Sequence, residues 1–164
     1  MNGNELEDHL RNMANEIDNY MDNVFPIEAS VIVETFVQDN FLQEGFVNNG
    51  LQPWQDVKRR DPQSPWYGFQ PLNKAQFSQV RATDPILKDT GELFDATKVT
   101  TGRGEVIVSN DKPYAAIHNE GGTAYVFGKT PFQMPQRQFI GHSKELDESI
   151  IENIENGIND IVNK

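Results

Sequence analysis

Ala96-Thr97-Lys98-Val99-Thr100-Thr101-Gly102-Arg103-Gly104-Glu105-Val106-Ile107-Val108-Ser109 consists of two β-rich runs about a pair of glycines. Gly102 and Gly104 are able to take the positive φ that a tight reversal can need, so the stretch predicts a β-hairpin. Just upstream, Ile86 to Phe94 reads as a short helix that brings Leu87 near Leu93 or Phe94. Downstream, Pro113 to His118 reads as one helical turn stopped by Gly121 and Gly122. Thr123 to Phe127 and Phe132 to Met134 then read as further strand.

Helical patterns bracket this β-rich centre. Leu6, Leu10, Met13, Ile17, Tyr20 or Met21, and Val24 recur at spacings of three and four, the stripe of an N-terminal helix. Pro26 interrupts the pattern and suits a first helical position, so a second helix is predicted from about Ile27 to Glu44, ahead of Gly45. The run from Val31 to Val37 is β-branched enough to read as a strand. Helix is preferred because Val33, Phe36, Val37, Asn40 and Phe41 share one face and no turn residue breaks the run. At the other end Leu146, Ile150, Ile151, Ile154, Ile158, Ile161 and Val162 form an apolar stripe. Ser143 is a suitable N-cap for it, and Glu145, Asp147 and Glu148 fall in the first turn, where negative charge is favoured. With no βαβ alternation, the class is α+β: an antiparallel β-sheet with a long N-terminal helix or helices and a C-terminal amphipathic helix.

Between these parts, residues 48–85 carry Gly50, Pro53, Pro62, Pro65, Gly68, Pro71 and Pro85 among Trp54, Trp66, Tyr67 and Phe69. That mixture sustains neither helical nor strand periodicity for long. It predicts a loop or arm within a single domain spanning residues 1–164. Trp54, Trp66, Tyr67 and Phe69 are its candidate partner contacts.

The chain has 164 residues, no cysteine and a net charge of −11. A fold of this size can bury roughly 70% of its unfolded surface without metals or disulfides. Lack of cysteine excludes disulfides, thiolate zinc sites, iron–sulfur clusters and a cysteine nucleophile. The N-terminal stretch lacks a signal-peptide pattern and no run approaches the length of a membrane span, so a cytoplasmic protein with no membrane partner is expected. Residues 1–44 carry ten acids and one base, residues 45–143 nine acids and eleven bases, and residues 144–164 six acids and two bases. An acidic chain is poorly suited to holding phosphates, so no specific nucleic acid is expected as partner.

The motifs that would carry catalysis fail on inspection. His118-Asn119-Glu120 matches half of the zinc deaminase signature, whose other half needs cysteines. His9, His118 and His142 sit on three predicted elements without a zinc-binding pair at helical spacing, so no metal is expected and His118 reads as a structural histidine. There is no nucleophile elbow and no phosphate loop. With 25 acids present, a chance carboxylate pair carries no information. Lys58-Arg59-Arg60, near Trp54 and Trp66, has the residue types of a single-stranded nucleic-acid platform and equally those of a solvated loop. No catalytic residue and no cofactor are assigned. The residues alone leave open a nucleic-acid-associated or regulatory binding module and a metal-independent hydrolase of unrecognised type.

Four short motifs nevertheless occur in order: Ile86-Leu87-x-x-Thr90-Gly91-x-Leu93; a glycine hairpin leading to Val106-Ile107-Val108; Tyr114-Ala115-x-Ile117-His118-x-x-Gly121-Gly122; and Met134-Pro135-x-Arg137-x-Phe139-Ile140-Gly141. Over about residues 80 to 150 the set resembles the phage virion morphogenesis family, with looser agreement at Asn40-Phe41 and Pro53-Trp54. Gln136 and Gln138 stand where that family has alanine and a second proline. The resemblance implies a non-enzymatic structural or assembly protein of a tailed phage or prophage, acting in tail completion or head-to-tail joining. It implies partners in other tail or connector proteins and in further copies of itself as a ring, with assembly in the host cytoplasm and a place in the virion. Its motif positions are glycines, prolines and anchors that suit folding rather than turnover: Thr90, Gly91, Leu93, Tyr114, Ala115, His118, Gly121, Gly122, Pro135, Arg137 and Phe139. Gly91 is expected to end a helical turn.

Overall fold

The computed structural model describes residues 3–69, 77–88, 90–126 and 128–164. Its elements are α1 (Gly3–Asn19), a π-helical turn (Tyr20–Val24), α2 (Phe25–Leu42), β1 (Gly45–Val47), β2 (Leu51–Pro53), α3 (Gln79–Thr83), α4 (Glu92–Asp95), β3 (Thr97–Gly102), β4 (Glu105–Asn110), α5 (Ala115–Glu120), β5 (Gly122–Val126), β6 (Thr130–Met134) and α6 (Lys144–Val162). The class is α+β. In place of one sheet, the strands form three two-stranded ladders, β1–β2, β3–β4 and β5–β6. Two compact units result, one of Met1–Phe36, Lys98–Ser109 and His142–Lys164, the other of Val37–Thr97 and Asn110–Gly141.

In the first unit, Pro26 does not separate two helices. A π turn absorbs it, the Phe25 N–H donating to Tyr20 O five residues back, and α2 starts directly from that turn. The widened turn carries Tyr20 into the interior. Its ring lies against Gly157 of α6, where even a methyl group would overlap it. The Tyr20 hydroxyl donates to Asn153 O at 3.1 Å and lies 3.1 Å from Glu28 Oε2. Burial, and then Glu28, push the phenol up to about 12. At the tip of the β3–β4 hairpin, Arg103 donates twice to Asp22 Oδ2, at 2.9 and 2.6 Å, and the Gly104 N–H donates to Asp22 O. Helix α6 begins where the sequence placed it: Ser143 Oγ accepts from Leu146 N at 3.2 Å.

In the second unit, helical spacing on α2 brings Val37, Asn40 and Phe41 to a buried face. Phe41 is the hub. Its ring centroid lies 5.7 Å from Trp54, 5.2 Å from Phe94 and 5.1 Å from Phe139, edge-on to the first two and tilted to the third. Strands β5 and β6, at the two runs read as further strand, pair from Gly122↔Met134 to Val126↔Thr130, although Phe127 lies outside the described residues.

Two expectations are revised. The helix expected over Ile86 to Phe94 shrinks to Glu92–Asp95, because Leu87 sits at φ 60 and Gly91 at φ 81. Gly91 therefore caps the start of a turn instead of ending one. The arm expected at 48–85 contains β2 and α3 in its described part, while residues 70–76 lie outside the described residues.

Candidate functional site

The residues singled out in the sequence fall largely in the second unit, around the segment from Met134 to Gly141. Beyond Met134, which ends the β5–β6 ladder, this segment makes no ladder, so its backbone groups need partners from elsewhere. Each neighbouring element supplies one. The Arg137 N–H donates to His118 O at 2.7 Å. Asn119 Oδ1 accepts from both Phe139 N and Ile140 N, at 2.9 and 3.0 Å. Trp54 Nε1 donates to Gln138 O at 2.8 Å, and Asn40 Nδ2 to Phe139 O at 3.4 Å. Phe139, 1% exposed, is fixed at the centre. Gly121 is needed where α5 turns into β5: its φ is 72, and a Cβ there would lie 2.8 Å from Gln136 N.

A second network holds the chain between β2 and α4. Arg60 donates to both carboxylate oxygens of Glu44, at 2.8 and 2.5 Å, and Ile86 N donates to Glu44 Oε1 at 2.8 Å. The Arg60 hydrogen bonds, helped by the Ile86 N–H, hold the Glu44 carboxyl below its ordinary 4.5 despite its burial. Arg59 donates to the carbonyls of Arg81, Asp84 and Pro85. Two of the three cations in the basic cluster are thus engaged within the unit.

A cleft of about 370 Å³ opens beside these networks, and Thr90, Gly91, Leu93, Tyr114, His118 and Arg137 line it together with Arg59. Six motif positions scattered over 48 residues of sequence therefore meet at one place. Arg137 is 6% exposed and donates to the Gln55 and Asp56 carbonyls and to Met134 Sδ. Burial, and then Arg59, hold its guanidinium below the ordinary arginine value. Burial, and then Arg81 and Arg60, do the same to Arg59. His118 packs edge-on to Tyr114 at 6.0 Å; among the described residues its buried Nδ1 makes no hydrogen bond, and burial followed by Arg137 lowers its pKa. Pro135 lines a neighbouring cleft of about 580 Å³, to which Arg137 also contributes. Ala115 is buried and Gly122 opens β5.

The sequence model of the phage virion morphogenesis family matches residues 56–159. The chain belongs to that family. No curated protein and no solved structure matches it. The family's matched span contains every motif quoted from the sequence, and most of their residues converge on the clamped segment and the cleft.

The four arm aromatics divide. Trp54 is buried in the core, Tyr67 is half-buried, and Trp66 and Phe69 are 49% and 39% exposed and packed edge-on at 5.1 Å. Sequence reading overlooked Glu44, Asn119 and the structural use of Arg59 and Arg60. Asn119 lies at an unspecified position of its motif, and Glu44 acts through a left-handed backbone, φ 51, which nothing local announces. Among the described residues, no group of three or more His, Cys, Asp or Glu is placed to hold a metal ion. Nor is any helix among them long and apolar enough to cross a membrane.

Proposed function

We propose that this phage virion morphogenesis protein acts stoichiometrically as a tail completion or head-to-tail joining subunit, without catalytic turnover. Family membership supplies the general role: building the phage particle in the host and associating with virion proteins. The observation that carries the finer reading is what the motif residues do. Arg137, Phe139, Ala115 and Gly121 pack and clamp backbone, and Arg137 gives its hydrogen bonds to carbonyls and a thioether. A nucleophile or general base would need a hydrogen-bonded relay, and His118 Nδ1 has no partner. Residues used in this way make a rigid body, whose work is then done by its surface. Trp66 and Phe69 are exposed aromatic anchors of the type that proteins bury against a partner.

Disrupting the gene in its phage or prophage and viewing the particles by electron microscopy tests the reading. Heads and tails that form but fail to join, restored by the purified chain, are the expected result. Joined, infectious particles made without the protein would refute it.

A further inference from the structure

We propose that the cleft of about 370 Å³ in the second unit receives the acidic helix α1 of another copy of the chain, its guanidiniums taking α1 carboxylates and its apolar wall taking Leu6 and Leu10. This rests on the assembly reading and adds to it the surfaces through which copies would meet.

Three observations carry it. First, among the described residues the cleft's two guanidiniums form no direct ion pair, although Asp84 and Glu44 act on Arg59 and Asp56 on Arg137 from further off. Neither Arg59 nor Arg137 has a carboxylate oxygen within salt-bridge distance among the described residues; their hydrogen bonds run to carbonyls and to Met134 Sδ. Glu92, on the rim, is engaged by Lys112 Nζ at 3.2 Å and lies 3.3 Å from the Tyr114 hydroxyl. A carboxylate from outside would find two guanidiniums held rigidly by their backbone bonds, the arrangement in which an ion pair loses least entropy.

Second, α1 has the complementary chemistry. It carries Glu5, Glu7, Asp8, Glu16 and Asp18 against Arg11, within a 44-residue stretch of ten acids and one base; Arg11 pairs with Glu7 at 2.6 Å and Lys164 with Glu16 at 3.5 Å, both on the exposed surface, and the helix keeps an excess of negative charge. Third, α1 buries no residue in its own fold, and Leu6 and Leu10, one turn apart, are 49% and 54% exposed. The cleft pairs its cations with Val57, Leu87 and Leu93. A helix stripe of two leucines flanked by carboxylates matches a wall of this kind in both charge and polarity. The cleft takes side chains rather than a whole helix, so α1 would lie across its mouth. Such a contact joins unlike surfaces of successive copies, the heterologous geometry that closes into rings.

Complementation between two exposed-surface variants tests this on the full chain. Thr90→Glu puts a carboxylate at the rim of the cleft, where Thr90 is exposed. Glu7→Lys with Asp8→Lys reverses charge on exposed α1. Circular dichroism and thermal melts first establish that each variant folds as wild type does. In sedimentation velocity at about 0.15 M salt, where long-range repulsion between acidic chains falls off within roughly 8 Å, wild type should associate with rising concentration. Each variant alone should associate at least about tenfold more weakly. Mixed one to one, they should form a dimer that grows no further, because the mixture retains a single intact helix and a single intact cleft. A wild-type chain that stays monomeric overturns the proposal, as do variants that associate as wild type does or a mixture that gives no dimer. Particle joining by a monomeric wild-type chain would leave the assembly role standing while removing this interface.

Discussion

In the second unit, Phe41 and Phe139 are 2% and 1% exposed and meet ring to ring; in the first, neither of the long helices α1 and α6 has a fully buried residue. The two regions are similar in apolar content and opposite in its use. Aromatic rings, Asn40, Asn119 and Trp54 hold the second unit's clamped segment, giving partners to the N–H groups of Phe139 and Ile140 and to the carbonyls of Gln138 and Phe139. The first unit buries mainly smaller side chains, Pro26, Ala29 and Val33 on α2, beside a half-buried isoleucine stripe on α6 and the close approach of Tyr20 to Gly157. The largest buried aromatic side chains lie in the second unit, while α1 leaves Leu6 and Leu10 exposed.

The comparison is broken most directly at Phe139. Phe139→Ala should cost about 3 to 5 kcal/mol by chemical denaturation, as expected for a fully buried aromatic whose neighbours cannot close the gap. A loss below about 1 kcal/mol would mean that the second unit is not the stable one. Next in size is Gly157→Ala, where overpacking against the Tyr20 ring should cost about 1 to 3 kcal/mol. The same change should let the Tyr20 phenol titrate closer to its ordinary 10.0 than to about 12. Because folding raises this pKa, the neutral phenol's contribution is present below pH 10 and is lost as pH rises through the folded value. Absorbance of the phenolate would follow the shift; an unchanged titration would place the ring elsewhere. The smallest effect concerns Glu44. Its carboxyl is held low in the folded chain, so its contribution is present above the ordinary 4.5 and is lost as pH falls through the folded value. Arg60→Gln should lower stability at neutral pH and flatten that acid dependence. A parallel acid profile in the variant would show that the pair contributes nothing.

The elements legible from the sequence were those with a periodic signal and a local cap: α6 after Ser143, the β3–β4 hairpin about its glycines, β5 and β6, and α2 against its β-branched alternative. What escaped was set at a distance. Pro26 marks a helix break in any local reading, yet a π turn absorbs it where Tyr20 meets Gly157, 137 positions away in sequence. Trp54 looks like its exposed neighbours Trp66 and Phe69, and distant partners, the Phe41 ring and the carbonyl of Gln138, make it a core residue. The motif positions could be found by order and spacing. That six of them line one cationic cleft depends on how α4, α5 and the Met134–Gly141 segment pack, which their local patterns do not encode.

A part consumed in building a particle, as proposed for this chain, is used in proportion to the particles made, and stoichiometry tests that directly. Purified protein, labelled and added in graded amounts to an infected-cell extract lacking it, should raise the yield of joined particles in proportion to the protein supplied. The label should sediment with the particles until the acceptor ends are filled. If a trace amount completes every particle while the label remains in the free pool, the chain turns over and the structural account is contradicted.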